Sequence, residues 1–545
     1  TFGLLGPGKS IETTLAALPK IIDEHPETVF LIIGKTHPTL AKDKGEDYRN
    51  FLEYKIDTFG LTDHVRFVNK FVPLEELLEY LQLTDIYLFT SKDPNQAVSG
   101  TFSYALSCGC PIVSTPIPHA LEVLQNKAGT IFDFEDSDQL SEVVIDLLED
   151  EELQAEMSLN GLHNTAESAW ENAAIAHAKL FEKVSEKTLR LKYKKPQIKM
   201  DHLIRMTTDT GIIQFSKVNH PDIDSGYTLD DNARALITVC RHYELTGDEI
   251  NIKYAKRYFN FINNCMRPDG TFFNYVDEDH RFTEQNDEVN LEDANGRAMW
   301  ALGYLISIAS KMPLCNDVIF RNAECIFQQG LEAMMTYRSP RAMAFILKGL
   351  YYFNLNRTNV QLPKTVTLFA DRLVNYYGDT ATNDWKWFEN YLTYGNSVLP
   401  QALLLAYEVT GEPRYKNLAK ASFDFLLSKI FRSNSIRVVS NVEWLTKGQE
   451  LPSEFQGGEQ PIDVAYTILA LKKFHGIFPN EGYDLKMEGA FNWFMGDNAL
   501  SQTMYNPCTG GCYDGLENHN VNLNQGAEST VSYLLARMAF EKDIA

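Results

Sequence analysis

The feature that most constrains this chain is a change of rhythm near residue 192. Before it, short apolar runs alternate with amphipathic stretches. "TFGLL", "VFLIIGK", "VRFVNKF", "IYLFTS", "PIVSTP" and "GTIFDF" have the length and composition of strands, with helical patterns such as "SIETTLAALPKIIDEH" and "LEELLEYLQL" between them. Strand–helix alternation at this spacing specifies a parallel, doubly wound sheet, an α/β unit of the Rossmann-like kind. Past the basic, proline-containing stretch "KYKKPQIKMDH" the strands nearly vanish. Helical periods recur at 229–245, 249–264, 292–310, 316–334, 341–354, 364–378, 396–411, 413–430, 461–474, 483–495 and 525–541. A helix near 200–208 would complete six hairpins, and six hairpins closed into a ring bury their inner helices on both sides. The expectation is therefore a multidomain chain: an α/β unit over 1–190, a linker over 191–205, and an all-α (α/α)6 toroid over 206–545.

A chain of 545 residues is long enough for more than one core. Its net charge of −23 is spread along the sequence, which argues against nucleic acid or an anionic membrane as the main partner and leaves neutral sugars open. No apolar run approaches the roughly 20 residues of a spanning helix. No signal peptide is visible, and the first strand has nothing before it, so a fragment of a longer protein is expected. Eight cysteines in so long a chain do not make a disulfide framework. Cys108 with Cys110, and Cys508 with Cys512, lack companion ligands at zinc spacing. Free thiols in a reducing cytoplasm are expected, with no metal and no cofactor.

The helical half carries an internal echo. "LDDNARAL" at 229–236 resembles "LEDANGRAM" at 291–299, the second with one extra residue before its Asn. Both place acids at a helix mouth and an Arg one turn in. Acids at a helix N-terminus cap it and oppose its dipole, so capping competes here with ligand contact. Aromatics, acids and amides also gather in "DWKWFENYLTYGN", where Trp385, Trp387, Phe388, Tyr391 and Tyr394 surround Glu389 and Asn390. Core packing explains aromatics as well as sugar stacking does.

In the first half, "FGLLGPGKS" puts a Gly-Pro-Gly turn and Lys9 at the carboxyl end of a strand, where open parallel sheets bind ligands. It lacks the spacing of a Walker loop. A second element, "LFTSKDPNQAVSGTFSYALSCGCPIVSTP", runs from a strand through a polar loop into a helix beginning near Ser99. Ser99, Gly100 and Thr101 would offer free N–H groups to an anion there.

With those stretches in view, residues 1–185 resemble the C-terminal, donor-binding domain of family 4 glycosyltransferases, half of a two-domain GT-B fold. "FGLLGPGKSIETTLAAL", "IIGKTHP", "HVRFVNKFVPLEELLEYLQLTDIYL" and "SGTFSYALSCGCPIVSTP" carry the resemblance. It implies a nucleotide-diphosphate sugar as substrate, Lys9 as a diphosphate contact, and a partner domain absent from this chain. The chain departs from the family pattern in having Leu4 where Arg is usual, and Gln96 and Tyr104 where two glutamates are usual. Gln96 and Tyr104 would still reach sugar and ribose hydroxyls without bringing charge. The second half resembles a toroid of the six-hairpin glycosidase type, carried by "GYTLDDNARALI", "LEDANGRAMWALG", "DWKWFENYLTYGNSVLPQALL", "EQPIDVAYTILAL" and "TGGCYDGLENHNVNLNQGAESTVSYLLA".

Cleavage of a glycosidic bond needs two carboxyls flanking it. Asp230, Asp231, Glu292, Asp293, Glu389, Asp463 and Glu528 are the candidates. Glu389, in its aromatic setting, is the expected acid, with Asp230 or Asp231 as its partner. Tyr227, Asn232, Arg234, Asp293, Arg297, Trp385, Trp387, Asn390, Asp463 and Glu528 are the expected glycan contacts. The expected activity is a glycosyltransferase whose toroid cleaves or holds an oligo- or polysaccharide. A toroid that only binds sugar, or a scaffold without activity, are the alternatives.

Overall fold

The computed structural model describes residues 1–186, 189, 191–312, 318–356 and 362–541. Its chain forms two compact units, Thr1–Ala173 and Ala174–Ala545. The division falls inside the helix Trp170–Ser185 rather than at the basic stretch 192–202.

In the first unit, β1 (Phe30–Ile33) and β2 (Val65–Val68) pair in parallel, with Phe30 beside Val65. A second parallel group joins β3 (Tyr87–Phe89), β4 (Ile112–Ser114) and β5 (Thr130–Ile131). The opening stretch makes only two parallel bridges, Phe2 to Ile33 and Leu5 to Thr36. Gly3 at φ +115° breaks the regular extended run between them. A Cβ on Gly34 would stand 2.0 Å from the Gly3 carbonyl oxygen, so only glycine lets these two backbones meet. Strand side chains alternate between two cores, as the pleat requires. Ile32, Leu88 and Val113 join Leu15 and Leu18 of the helix Ile11–Glu24 and Leu140 of the helix Ser137–Glu149. Tyr87, Phe89 and Ile112 join Phe102 and Leu106 of the helix Gly100–Ser107. Helices on both faces make the doubly wound unit that the alternation specifies.

The second unit holds twelve helices that matter here: α1 (Asp201–Arg205), α2 (Leu229–Thr246), α3 (Ile250–Asn264), α4 (Glu292–Ser307), α5 (Val318–Ala333), α6 (Pro340–Asn356), α7 (Leu362–Thr380), α8 (Val398–Thr410), α9 (Pro413–Ile430), α10 (Pro461–Ile477), α11 (Tyr483–Asn492) and α12 (Ala527–Met538). The first two residues of the 316–334 pattern lie outside the described residues. The even-numbered helices touch in succession, and α12 returns to α2, so the inner ring closes. Each odd-numbered helix backs onto an inner neighbour. Hydrophobic patterning separates the two layers. Every residue of α4 from Ala294 to Ile306 is buried. On α5 the buried residues Phe320, Ala323, Ile326, Phe327 and Gly330 form one stripe. The chain is thus a Rossmann-like unit followed by an (α/α)6 toroid.

Inner helices α4 and α6 approach most closely through glycine. A Cβ on Gly303 would lie 2.2 Å from the Gly349 carbonyl oxygen, and one on Gly349 would lie 2.4 Å from that of Met299. The ring's axis is filled by Trp300, Phe345 and Tyr466, from α4, α6 and α10, with centroids 5.8 to 6.1 Å apart. Short antiparallel pairs order the loops before the inner helices, including Tyr227–Thr228 with Tyr275–Val276 and Gly515–Leu516 with Val521–Asn522. Among the described residues, no helix is long and apolar enough to cross a membrane.

Candidate functional sites

In the first unit a cleft of about 650 Å³ opens at the carboxyl edge of the sheet. Its walls include Lys9, Gln96, Ser99, Gly100 and Thr101. Lys9 ends a single 3₁₀ turn, Pro7–Lys9, and its Nζ donates to the Phe2 carbonyl at 2.9 Å. Among the described residues no carboxylate pairs with it, and burial pushes its ammonium down to about 8. Ser99 caps the helix Gly100–Ser107, its Oγ accepting from the Phe102 N–H at 3.4 Å. Gln96 accepts from the Ser91 hydroxyl at 2.8 Å, which fixes its amide at the rim. Leu4 also lines the cleft. Tyr104 does not. It lies one turn into the helix, 42% exposed, with its ring edge-on to Phe2.

In the toroid, the N-termini of all six inner helices lie at one end of the ring. A cavity of about 420 Å³ at this mouth is lined by Asp230, Asp231, Arg234, Glu459, Asp514 and Glu528, with the amides Asn274, Asn441 and Asn522. Thr228 is the cap of α2: its Oγ accepts from the Asp231 N–H at 3.2 Å and donates to Asp231 Oδ2 at 2.7 Å. Thr228 rather than Asp231 is therefore the cap, and the Asp231 carboxylate orients the capping hydroxyl. The Asp230 side chain is left to Arg297, at 2.7 Å. Arg234 lies between Asp231 at 2.7 Å and Glu528 at 2.9 Å. Burial pushes the Asp231 carboxyl up to about 6 in spite of the adjacent guanidinium.

Two further acids share this cavity. Burial lifts Glu459 to about 7; its Oε2 accepts from the Trp493 indole at 2.7 Å, and Arg437 stands 3.7 Å from its other oxygen. Burial lifts Asp514 to about 6, against a 2.8 Å bond from the Gly526 N–H. Both lie in stretches that carry the resemblance to the toroid, but neither is among the residues expected from sequence at the site. The signal available was an acid just before a helix start, "GGEQP", or inside a turn, "YDG".

The polar groups form a girdle around the mouth. Asp293 accepts from the Ser339 hydroxyl at 2.6 Å and from the Tyr394 hydroxyl. Asp463 accepts from the Gly395 N–H at 2.6 Å, and burial lifts it to about 7. Both stand behind the cavity, and so does Arg297. Glu389 is held by an arginine. Arg341 donates to its Oε1 at 3.1 Å, and the second contact, 3.0 Å between Nη2 and Oε2, is ionic without hydrogen-bond geometry. Its neighbours are the Arg341 guanidinium and the Tyr391 side chain, and it does not line the cavity.

The aromatics near it are core. Trp387 is 0% exposed and packs on Phe388 and Phe425. Trp385 is buried and donates to the Glu389 carbonyl at 2.7 Å. Neither offers a face to a sugar. Asn390 is exposed and its carbonyl accepts from the Lys447 N–H at 2.8 Å, away from the cavity. Tyr227 is buried against Phe261, its hydroxyl 2.9 Å from that of Thr208. Asn232 is fully buried, accepting from the Ile212 N–H at 3.0 Å and donating to the Thr228 carbonyl at 2.8 Å. Asn295 repeats this role one hairpin on, accepting from the Phe272 N–H at 2.9 Å and donating to the Leu291 carbonyl at 2.9 Å. The echoed Asn therefore ties each inner helix to the loop before it.

Comparisons with known proteins bear on the first unit. Residues 2–163 match the family model of glycosyl transferases group 1. A GDP-mannose-dependent alpha-(1-6)-phosphatidylinositol monomannoside mannosyltransferase of Mycolicibacterium smegmatis is 28% identical over 165 residues, 29% of this chain and 40% of the relative. The chain spans about 40% of the length of the curated relatives it matches. Among solved structures, Anabaena Alr3699/HepE in complex with UDP and glucose is similar at 21% identity and a TM-score of 0.29, over 34% of this chain and 47% of that one. Cellobiose 2-epimerase from Bacillus thermoamylovorans B4167 is similar at 11% identity and a TM-score of 0.49, over 68% of this chain and 98% of its own.

Proposed function

We propose, from the premise that residues 2–163 form a glycosyl transferases group 1 domain, that the first unit binds a nucleotide-diphosphate sugar and that the toroid takes up and cleaves a glycan. Lys9 carries the first half of this reading. A half-buried ammonium without a carboxylate, beside a capped helix start, is an incomplete ion pair. A diphosphate would complete it, with the Gly100 and Thr101 amides as further donors and Gln96 placed for a sugar hydroxyl. GDP-mannose is the first donor to try, because curated relatives are GDP-mannose-dependent by name. Calorimetric titration with GDP-mannose and UDP-glucose tests it. Binding that Lys9→Met weakens about tenfold or more supports the reading, and no heat with any nucleotide sugar refutes it.

For the toroid, the supporting observation is the set of carboxyls around one cavity, Glu459 among them. An acid lifted to about 7 by burial is protonated in a large share of molecules at neutral pH. It would protonate the departing glycosidic oxygen, while Asp230 or Glu528 acts as the ionised partner. A second reading, in which the toroid only holds glycan, draws on a different observation: guanidinium groups already engage Asp230, Asp231 and Glu528. A panel of oligosaccharides separates the two. Turnover that Glu459→Gln removes while binding persists means cleavage; binding without turnover by the unaltered chain means holding.

A further inference from the structure

The toroid has a second hollow, at the end opposite the mouth. About 640 Å³ in volume, it lies among the C-terminal turns of the inner helices, and all six contribute to its wall. It shares no lining residue with the mouth cavity, and the Trp300, Phe345 and Tyr466 layer stands between the arginines of the mouth and this end. Five cationic side chains, Arg241, Lys311, Lys348, Lys472 and Lys473, face two carboxylates, Glu244 and Glu408. Both carboxylates are occupied. Glu244 takes Lys311 at 3.2 Å and the Tyr304 hydroxyl at 2.6 Å, and Glu408 takes Lys473.

Lys348 decides the case. It is 1% exposed. Its Nζ rests 3.6 Å from the Trp300 ring centroid and donates to Gln401 Oε1 at 3.0 Å, and the other groups near it are the rings of Phe345 and Tyr466. Among the described residues no carboxylate lies within ion-pair reach. Cations at helix C-termini ordinarily oppose the dipole, which accounts for Lys472 and Lys473. It does not account for Lys348, at the middle of α6. A buried ammonium with one neutral acceptor lacks a counter-charge. Burial accordingly pushes it down to about 7.

We propose that this hollow binds a small phosphorylated sugar, its phosphate completing Lys348 from the cavity side and its ring set among Tyr304, Tyr351 and Tyr352. Phosphate supplies enough acceptors for several of the cations at once, and the Ser307 hydroxyl, which donates to the Tyr304 carbonyl at 2.6 Å, can accept from a sugar hydroxyl. The proposal is independent of what the mouth does.

Glucose 6-phosphate is the probe, titrated into the full chain by calorimetry. Binding is expected, with free glucose at the same concentration giving none. Lys348→Met, which keeps the stem and removes the charge, should weaken binding by about tenfold or more. On the unaltered chain, titration near pH 8 in buffers of different ionisation enthalpy should show net proton uptake on binding, because Lys348 becomes charged against the phosphate. That readout stands even if Lys348→Met fails to fold. Absence of binding, equal affinity for glucose, unchanged affinity in Lys348→Met, or binding without proton uptake would each overturn the proposal.

Discussion

At the residue scale, the informative groups are those whose charge or amide is buried. Lys9 and Asn232 show the two ways this happens. Lys9 has lost water without gaining an anion, so its charge is a cost to folding that a ligand would recover. Lys9→Met should therefore leave the thermal midpoint unchanged or raised while nucleotide affinity drops about tenfold or more, which paired melting and calorimetry would measure. A lowered midpoint with intact affinity would contradict it. Asn232 is the opposite case. Both ends of its amide are bonded inside the protein, and Asn232→Ala strands the Ile212 N–H in the interior. The loss should be about 2–4 kcal/mol in urea unfolding, and Asn295→Ala should cost at least as much because Asn295 makes the equivalent bonds and two more, to the Phe272 carbonyl and from the Tyr337 hydroxyl. The motif was legible in sequence as an echo. Which members face a cavity was not, because four neighbouring positions on one helical turn point in different directions.

At the element scale, inner and outer helices are told apart by how much of their circumference is apolar. The sequence shows this well for α4, with its unbroken run of buried residues, and for the striped α5. Less legible was how closely two inner helices approach. Gly303 and Gly349 set that distance, each lying against the other helix's backbone. Gly303→Ala would gain helix propensity in isolation, yet its methyl would meet a carbonyl oxygen that cannot retreat without moving α6. We predict a net loss of roughly 2–3 kcal/mol, read as a lower urea midpoint at unchanged slope. A stabilised variant would show that the two helices separate freely. Trp385 and Trp387 belong to this scale as well. Clustered with Glu and Asn they resemble a sugar platform, but the loop before α8 folds them inward onto Phe425 of α9. Contacts so distant in sequence leave no local trace.

At the scale of the whole molecule, charge and pH act together. Four carboxyls near the ring's mouth, Asp231, Glu459, Asp463 and Asp514, are lifted by burial to between about 6 and about 7. In the unfolded chain they ionise near their ordinary values of about 4. Between those limits the folded state holds more protons, so stability is highest at the acid side and falls as pH rises through about 7. Each group contributes on the order of 1–3 kcal/mol to the fall, and the net charge of −23 acts in the same direction. The melting midpoint should therefore drop from pH 5.5 to 8, and Glu459→Gln should flatten that drop. An identical slope in the variant would remove Glu459 from the account. What the sequence determined by itself was periodicity: alternating strands and helices, then paired helices, hence two units and their fold classes. That information is local, since a hydrophobic period needs only neighbours a few residues away. The tertiary structure alone decided which acids share a hollow, which aromatics are core, and that a lysine in mid-helix lies opposite a tryptophan. Those facts depend on helices far apart in the chain meeting across a closed ring, and burial, which sets the proton affinity of every group there, exists only once the ring has closed.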